Sequence, residues 1–166
     1  MLRGLFRFPN PVNHLAARIV AIGVVSMTLL AIGLRSPIVL DVICAGFWAR
    51  LLTGTTLSPL GQLAVRLAPR LEATPTLVPG PPKRFAQGCG AALSSLAVVV
   101  AYTVSWTPAA VVLVVVLAAA SLEGFMGYCV GCTIFGWLMR AGVVPKEVCE
   151  ECADVATRVA RGAVGP

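Results

Sequence analysis

The sequence predicts an all-α membrane protein with four transmembrane helices in two hairpins, an interfacial amphipathic helix between them, and a short cytoplasmic C-terminal helix. Three observations carry that expectation. Of 166 residues, 58% are apolar and 12% charged, whereas a soluble domain is near half apolar and a quarter charged. The apolar residues arrive in long runs, and a helix of about 20 residues crosses about 30 Å of hydrocarbon. Finally, twelve of the 13 Lys and Arg residues fall on one side of the resulting topology, with Arg35 alone on the other. Short basic segments stay in the cytoplasm, so both termini are expected there, in a multi-pass protein of the inner (plasma) membrane. The net charge of +6 then follows from topology and anionic headgroups, and it gives no argument for nucleic acid.

The first span is Leu15 to Leu34, with Asn13 as its cap, Val12 folding back as a staple and Arg18 near its start. A secretory signal would have a shorter apolar core and a small-residue cleavage site, which the sequence lacks. His14, the only histidine, belongs at the interface. Gly33 to Pro37 is a tight turn, and the second span runs from Ser36-Pro37 to about Leu52 with Asp41 inside it.

Leu60, Leu63, Leu67 and Leu71 then recur at helical spacing after Ser58, a cap, and Pro59, a first-turn proline. This helix is expected to lie on the membrane surface, its Arg66 and Arg70 toward headgroups, with Pro69 ending or kinking it. Thr74 to Arg84 reads as a stiff non-helical linker because of its prolines. A third span follows from about Gly88 to Trp106, a second tight turn at Thr107-Pro108, and a fourth span from Ala109. The expected organisation is a cytoplasmic N-terminal segment at 1–14, a transmembrane bundle at 15–127 with a cytoplasmic loop at 53–87, and a cysteine-bearing cytoplasmic-face segment and tail at 128–166.

The fourth span is too long as a single helix, apolar from Ala109 to Met139 except for Glu123, so a break is expected near Gly127 or Gly131. Asp41 and Glu123, the acids within spans, would each cost about 2.5–3.5 kcal/mol unpaired at mid-membrane. They should therefore face the bundle interior, Asp41 near Arg35 and Glu123 near Arg18 or Arg50.

Four of the six cysteines form two pairs, Cys129-Val130-Gly131-Cys132 and Cys149-Glu150-Glu151-Cys152. Their separation falls within the spacing of a four-cysteine zinc site, and a reducing cytoplasm argues against structural disulfides. Two mechanisms fit. All four thiolates, Cys129, Cys132, Cys149 and Cys152, close a structural zinc site that clamps the tail onto the bundle, as in a non-enzymatic scaffold or complex subunit. Alternatively the pairs cycle between dithiol and disulfide, passing electrons or sulfane sulfur to a soluble partner. Cys129 and Cys132 would sit at the break, where a short helix from Thr133 to Arg140, closed by Gly142, aims its positive end at a thiolate. Glu123 is the candidate proton acceptor beside them. The second pair is expected on a helix from Pro145, among Glu147, Glu150, Glu151 and Asp154, whose charges oppose thiolate formation. Placement of one pair in a broken membrane helix favours thiol redox or sulfur relay. Cys44 and Cys89 read as buried small apolar residues.

The segments Phe8 to Arg18, Leu57 to Gly61, Pro79 to Gln87, Cys129 to Cys132 and Val148 to Cys152 resemble, in that order, a family of small bacterial membrane proteins known as domain of unknown function 4395. The resemblance implies a multi-span membrane protein of a family associated with gene neighbourhoods of thioredoxin-like and sulfurtransferase proteins, which makes such proteins the expected partners of a relay, as a larger membrane complex is of a scaffold. It supplies no established activity. A looser likeness to membrane oxidoreductase subunits of the DoxX type and to the vitamin K epoxide reductase family is one of architecture alone.

Overall fold

The computed structural model describes residues 11–71 and 76–143. Within them the chain forms six helices and one two-stranded antiparallel pair. The helices are α1 (His14–Leu34), α2 (Pro37–Thr53), α3 (Pro59–Leu71), α4 (Gly80–Thr103), α5 (Trp106–Met126) and α6 (Val130–Arg140). Three of them, α1, α4 and α5, are long and apolar enough to cross a membrane. Helix α2 has 17 residues.

The first helix starts as the sequence dictates: the Asn13 side chain accepts hydrogen bonds from the Leu15 and Ala16 amides at 2.8 and 3.2 Å. Val12, expected as a staple, also has a backbone partner. It pairs with Val78 across β1 (Val12–Asn13) and β2 (Leu77–Val78), which ties the start of α1 to the segment before α4. At the other end of α1 the chain reverses within two residues. Arg35 takes the left-handed conformation at φ 48°, and Ser36 caps α2, whose first residue is Pro37.

Helix α3 lies where the leucine spacing predicts, capped by Ser58 Oγ accepting from the Gly61 amide at 3.2 Å. Its buried face is Gly61, Ala64 and Ala68, packed on α1. Pro69 does not end it; the helix continues to Leu71. Proline at the penultimate turn loses one bond to a helix that is about to stop, so the cost is small.

Two expectations about proline are corrected. The linker ending at Arg84 is helical from Gly80, so α4 starts well before Gly88, and Pro81 and Pro82 occupy its first turn. The turn after α4 falls at Val104 and Ser105, and Thr107-Pro108 lies inside the first turn of α5. The reason is common to both: first-turn amides have no partner within the helix, so a residue without N–H is no loss there. A proline preceded by an apolar turn marks a helix start as readily as a stop.

The core is contributed by all the long helices, with Val24, Leu40, Ile43, Phe47, Ala91, Ala97, Leu113 and Val116 buried. Helix α2 packs against α4 and α1 against α5. Polar residues in this core bond to nearby carbonyls: Thr28 Oγ1 donates to Val24 O at 2.8 Å, and Ser94 Oγ to Gly90 O at 2.7 Å. Leu29, Leu30, Ile38, Val42, Val99, Val111, Val114 and Val115 point outward, a continuous apolar exterior of the kind lipid covers.

The apolar run after Ala109 breaks at Gly127, in the left-handed region at φ 71°. A Cβ there would meet His14 Cε1 at 3.1 Å, so both conformation and space favour glycine. Helix α6 then turns away from α5 and packs on α4.

Candidate functional site

The break between α5 and α6 puts Cys129 at the N-cap of α6. Its Sγ accepts the Cys132 amide at 3.3 Å, and its carbonyl accepts the Thr133 amide at 3.1 Å and the Thr133 hydroxyl at 3.2 Å. A sulfur in that position faces the positive end of the helix dipole. The structure therefore places Cys129 and Cys132 together where the sequence expects them, with α6 beginning at Val130 rather than Thr133.

Two anchors hold this turn. Gly131 lies against α4, where a Cβ would come within 2.6 Å of Ala86 Cβ and 2.7 Å of its Cα. One turn on, Phe135 packs its ring on Phe85 with centroids 5.5 Å apart. The α5 end is fixed separately: Arg18 donates to the Gly124 and Phe125 carbonyls at 3.1 and 2.9 Å, a cation on carbonyls that the helix leaves unpaired.

Glu123 forms an ion pair with Lys83. This corrects the expected partner, Arg18 or Arg50, because the early start of α4 carries Lys83 into the bundle. Both side chains are largely buried, at 8% and 17% exposure. Arg50 instead donates to Gln87 Oε1 at 2.9 Å. Asp41 likewise does not meet Arg35; it accepts from the Tyr102 hydroxyl at 2.8 Å.

The two thiols are unlike. Hydrogen bonding from the Cys132 thiol holds the Cys129 thiol below its ordinary value, with Lys83 assisting and burial and Glu123 opposing. The same bond, with burial, pushes Cys132 far up. Cys129 is therefore the thiol of the pair that ionises first, and Cys132 the one that holds its proton longer.

Cys129 also lines a cavity of about 230 Å³ between α1, α4, α5 and α6. Its wall is apolar except for Gln87, Cys89, Glu123 and Cys129 itself. Sequence reasoning passes over Cys89, which looks like one more small residue in a span. Cys44, its counterpart in α2, lies 3.4 Å from Ser95 Oγ and away from this wall.

Among the described residues no three His, Cys, Asp or Glu side chains are grouped to hold a metal ion. Cys149 and Cys152, expected as the other half of a zinc site, lie outside the described residues, as does the helix expected from Pro145. Two thiols on one helical turn fit half of a tetrahedral thiolate set.

Fold and site together define a helical protein with three helices of membrane-spanning character and a cysteine pair capping a short helix that branches from them. The family described as Domain of unknown function (DUF4395) matches residues 12–140, and the chain belongs to it. The matched stretch contains Cys129 and Cys132 and stops before Cys149. Neither a curated protein nor a solved structure matches the chain.

Proposed function

We propose that the protein is a membrane-anchored thiol redox or sulfur-relay component that works through Cys129 and Cys132 at the cytoplasmic face of the inner membrane. The observation that carries the proposal is the position of Cys129: it caps α6, its Sγ at the positive end of the helix and accepting the amide of Cys132 three residues on. In this reading α2 is a fourth span, α1–α2 and α4–α5 are two hairpins, and both termini are cytoplasmic. Twelve basic residues against one support that orientation.

The chemistry follows from the inequality of the two thiols. Cys129 thiolate attacks a sulfur of a disulfide on a thioredoxin-like partner, which leaves as one thiolate and remains joined through the other. Cys132 then loses its proton and attacks Cys129 Sγ in the mixed disulfide. The products are a Cys129–Cys132 disulfide and a dithiol partner, so two electrons have moved to the partner. With a sulfurtransferase partner, Cys129 would instead accept a sulfane sulfur as a persulfide, and Cys132 would release it as sulfide. Glu123, beside this pair, is the candidate acceptor for the Cys132 proton.

A structural zinc in a scaffold or complex subunit is the competing reading, favoured by the spacing of the two cysteine pairs. Cys129, Cys132, Cys149 and Cys152 would hold the metal, which would supply a clamp on the tail.

Thiol counting with metal analysis on gently purified protein separates the two. The relay predicts metal-free protein whose Cys132→Ser variant accumulates a mixed disulfide through Cys129. Stoichiometric zinc, lost on replacing any of the four cysteines, would refute it.

A further inference from the structure

A second cavity, of about 300 Å³, lies between the start of α1, the end of α2, α3 and the start of α4. Its polar wall is Asn13, Arg50, Thr55, Lys83 and Gln87. The two cations are deeply buried, Arg50 at 5% exposure and Lys83 at 7%. Their charges are not equally answered. Lys83 has Glu123, whereas no carboxylate among the described residues pairs with Arg50. Its guanidinium donates to Gln87 Oε1 at 2.9 Å and Ser58 Oγ at 3.3 Å, and stacks 4.7 Å over the Phe47 ring.

Neutral dipoles and a ring face compensate a buried cation only in part, since taking a charge out of water costs several kcal/mol that a counter-charge normally offsets. A guanidinium carries five N–H donors in a planar fork matched to oxyanions, and Arg50 commits only two to acceptors among the described residues. The unused donors, the missing counter-charge and the cavity coincide. Were the cation merely structural, a carboxylate at Gln87 would satisfy it better.

We infer that this cavity binds a tetrahedral oxyanion, phosphate or sulfate in type, on Arg50 with Lys83 as the second cation. The oxyanion is either free in solution or the phosphate of an anionic lipid whose headgroup enters beside α3. Its lining includes neither Cys129 nor Cys132, so an anion-binding test can fail or succeed without deciding the thiol chemistry.

The test uses full-length protein in maltoside detergent, stripped of lipid, titrated separately with inorganic phosphate and with short-chain phosphatidylglycerol. The informative variant is Gln87→Glu, which places a carboxylate at Arg50 Nε and supplies the counter-ion internally. It is expected to melt at or above the wild type in anion-free buffer while binding the anion at least about tenfold more weakly, the loss of one charge-assisted pair. Arg50→Gln, which removes the charge outright, should lose binding to the same degree. Saturable one-to-one binding of phosphate assigns a free oxyanion, and binding of phosphatidylglycerol alone assigns a headgroup. Absence of binding from both sources, or binding undiminished in both variants, overturns the inference.

Discussion

Gly131, inside the first cysteine pair, is the position where the structure sets the sharpest demand on a single atom. A methyl there would stand 2.6 Å from Ala86 Cβ and 2.7 Å from Ala86 Cα, against an ordinary contact of 3.4 Å or more. The obstacle is the α4 backbone itself and cannot rotate away, so relief requires α6 to withdraw by about 0.8 Å. Withdrawal loosens the Phe85–Phe135 ring contact, worth about 0.5–1.5 kcal/mol, and overpacking of this kind costs about 1–3 kcal/mol. Against it stands the gain of about 0.5–1 kcal/mol for replacing a helical glycine with alanine. Gly131→Ala should therefore weaken α6 docking by about 1–2 kcal/mol.

Gly136 supplies the internal control, because a Cβ there has nothing within 4 Å. Gly136→Ala keeps the helix-propensity gain without the clash and should be neutral or slightly stabilising. Thermal unfolding in detergent reads the stability difference, and the alkylation rate of Cys129 reads whether the cap has moved. Gly131→Ala is expected to melt lower and to expose Cys129, raising its total reactivity to a bulky maleimide. If the two alanine variants behave alike in both assays, α6 does not pack on α4 as described and the site geometry falls with it.

Two further outcomes follow from charges at the site. Lys83→Met and Glu123→Gln each strand one member of a buried ion pair, a loss of about 3–5 kcal/mol, whereas the double variant should recover much of it; additive losses in unfolding experiments would show that the pair is not coupled. Because the Cys129 thiol is held below its ordinary value and Cys132 above it, the Cys129 thiolate forms first as pH rises. Iodoacetamide labelling followed by mass spectrometry should find Cys129 modified first and Cys132 protected across the neutral range, and identical pH profiles for the two would contradict the assignment.

The fold was legible where one physical signal dominated. Asn13 before an apolar run and Ser58-Pro59 before a leucine stripe specify helix starts through capping alone, and both starts lie where that chemistry puts them. An apolar run too long for one crossing, interrupted by Gly127, specified the break beside which Cys129 caps α6. What stayed hidden had a common cause in proline. Pro81-Pro82 and Pro108 were expected to interrupt helices and instead open them, and the first of these errors concealed the Lys83–Glu123 pair. Had the chain from Gly80 been read as a first turn, Lys83 would have entered the bundle as the cation nearest Glu123. Strand pairing of Val12 with Val78 was invisible for another reason: two residues carry no periodicity, and their register is set by contacts distant in sequence.

Lys83 also bears on how the two cavities relate. It lines the cavity of Arg50, its partner Glu123 lines that of Cys129, and Gln87 lines both. The wall between them thus includes one buried ion pair and one amide, beside Ala17 and Val20, which line both cavities. An ion pair in a low-dielectric wall responds to any charge added on either side, because each partner's interaction with the newcomer competes with its interaction with the other. A negative charge arriving beside Arg50 would therefore weaken the hold of Glu123 on Lys83, and a thiolate forming at Cys129 would draw on Lys83 from the other side. An anion at the inferred site and a thiolate at Cys129 would thus compete for one cation, and linkage would make that competition reciprocal: whatever anion occupancy did to the Cys129 thiolate, the thiolate would do to anion affinity by the same factor.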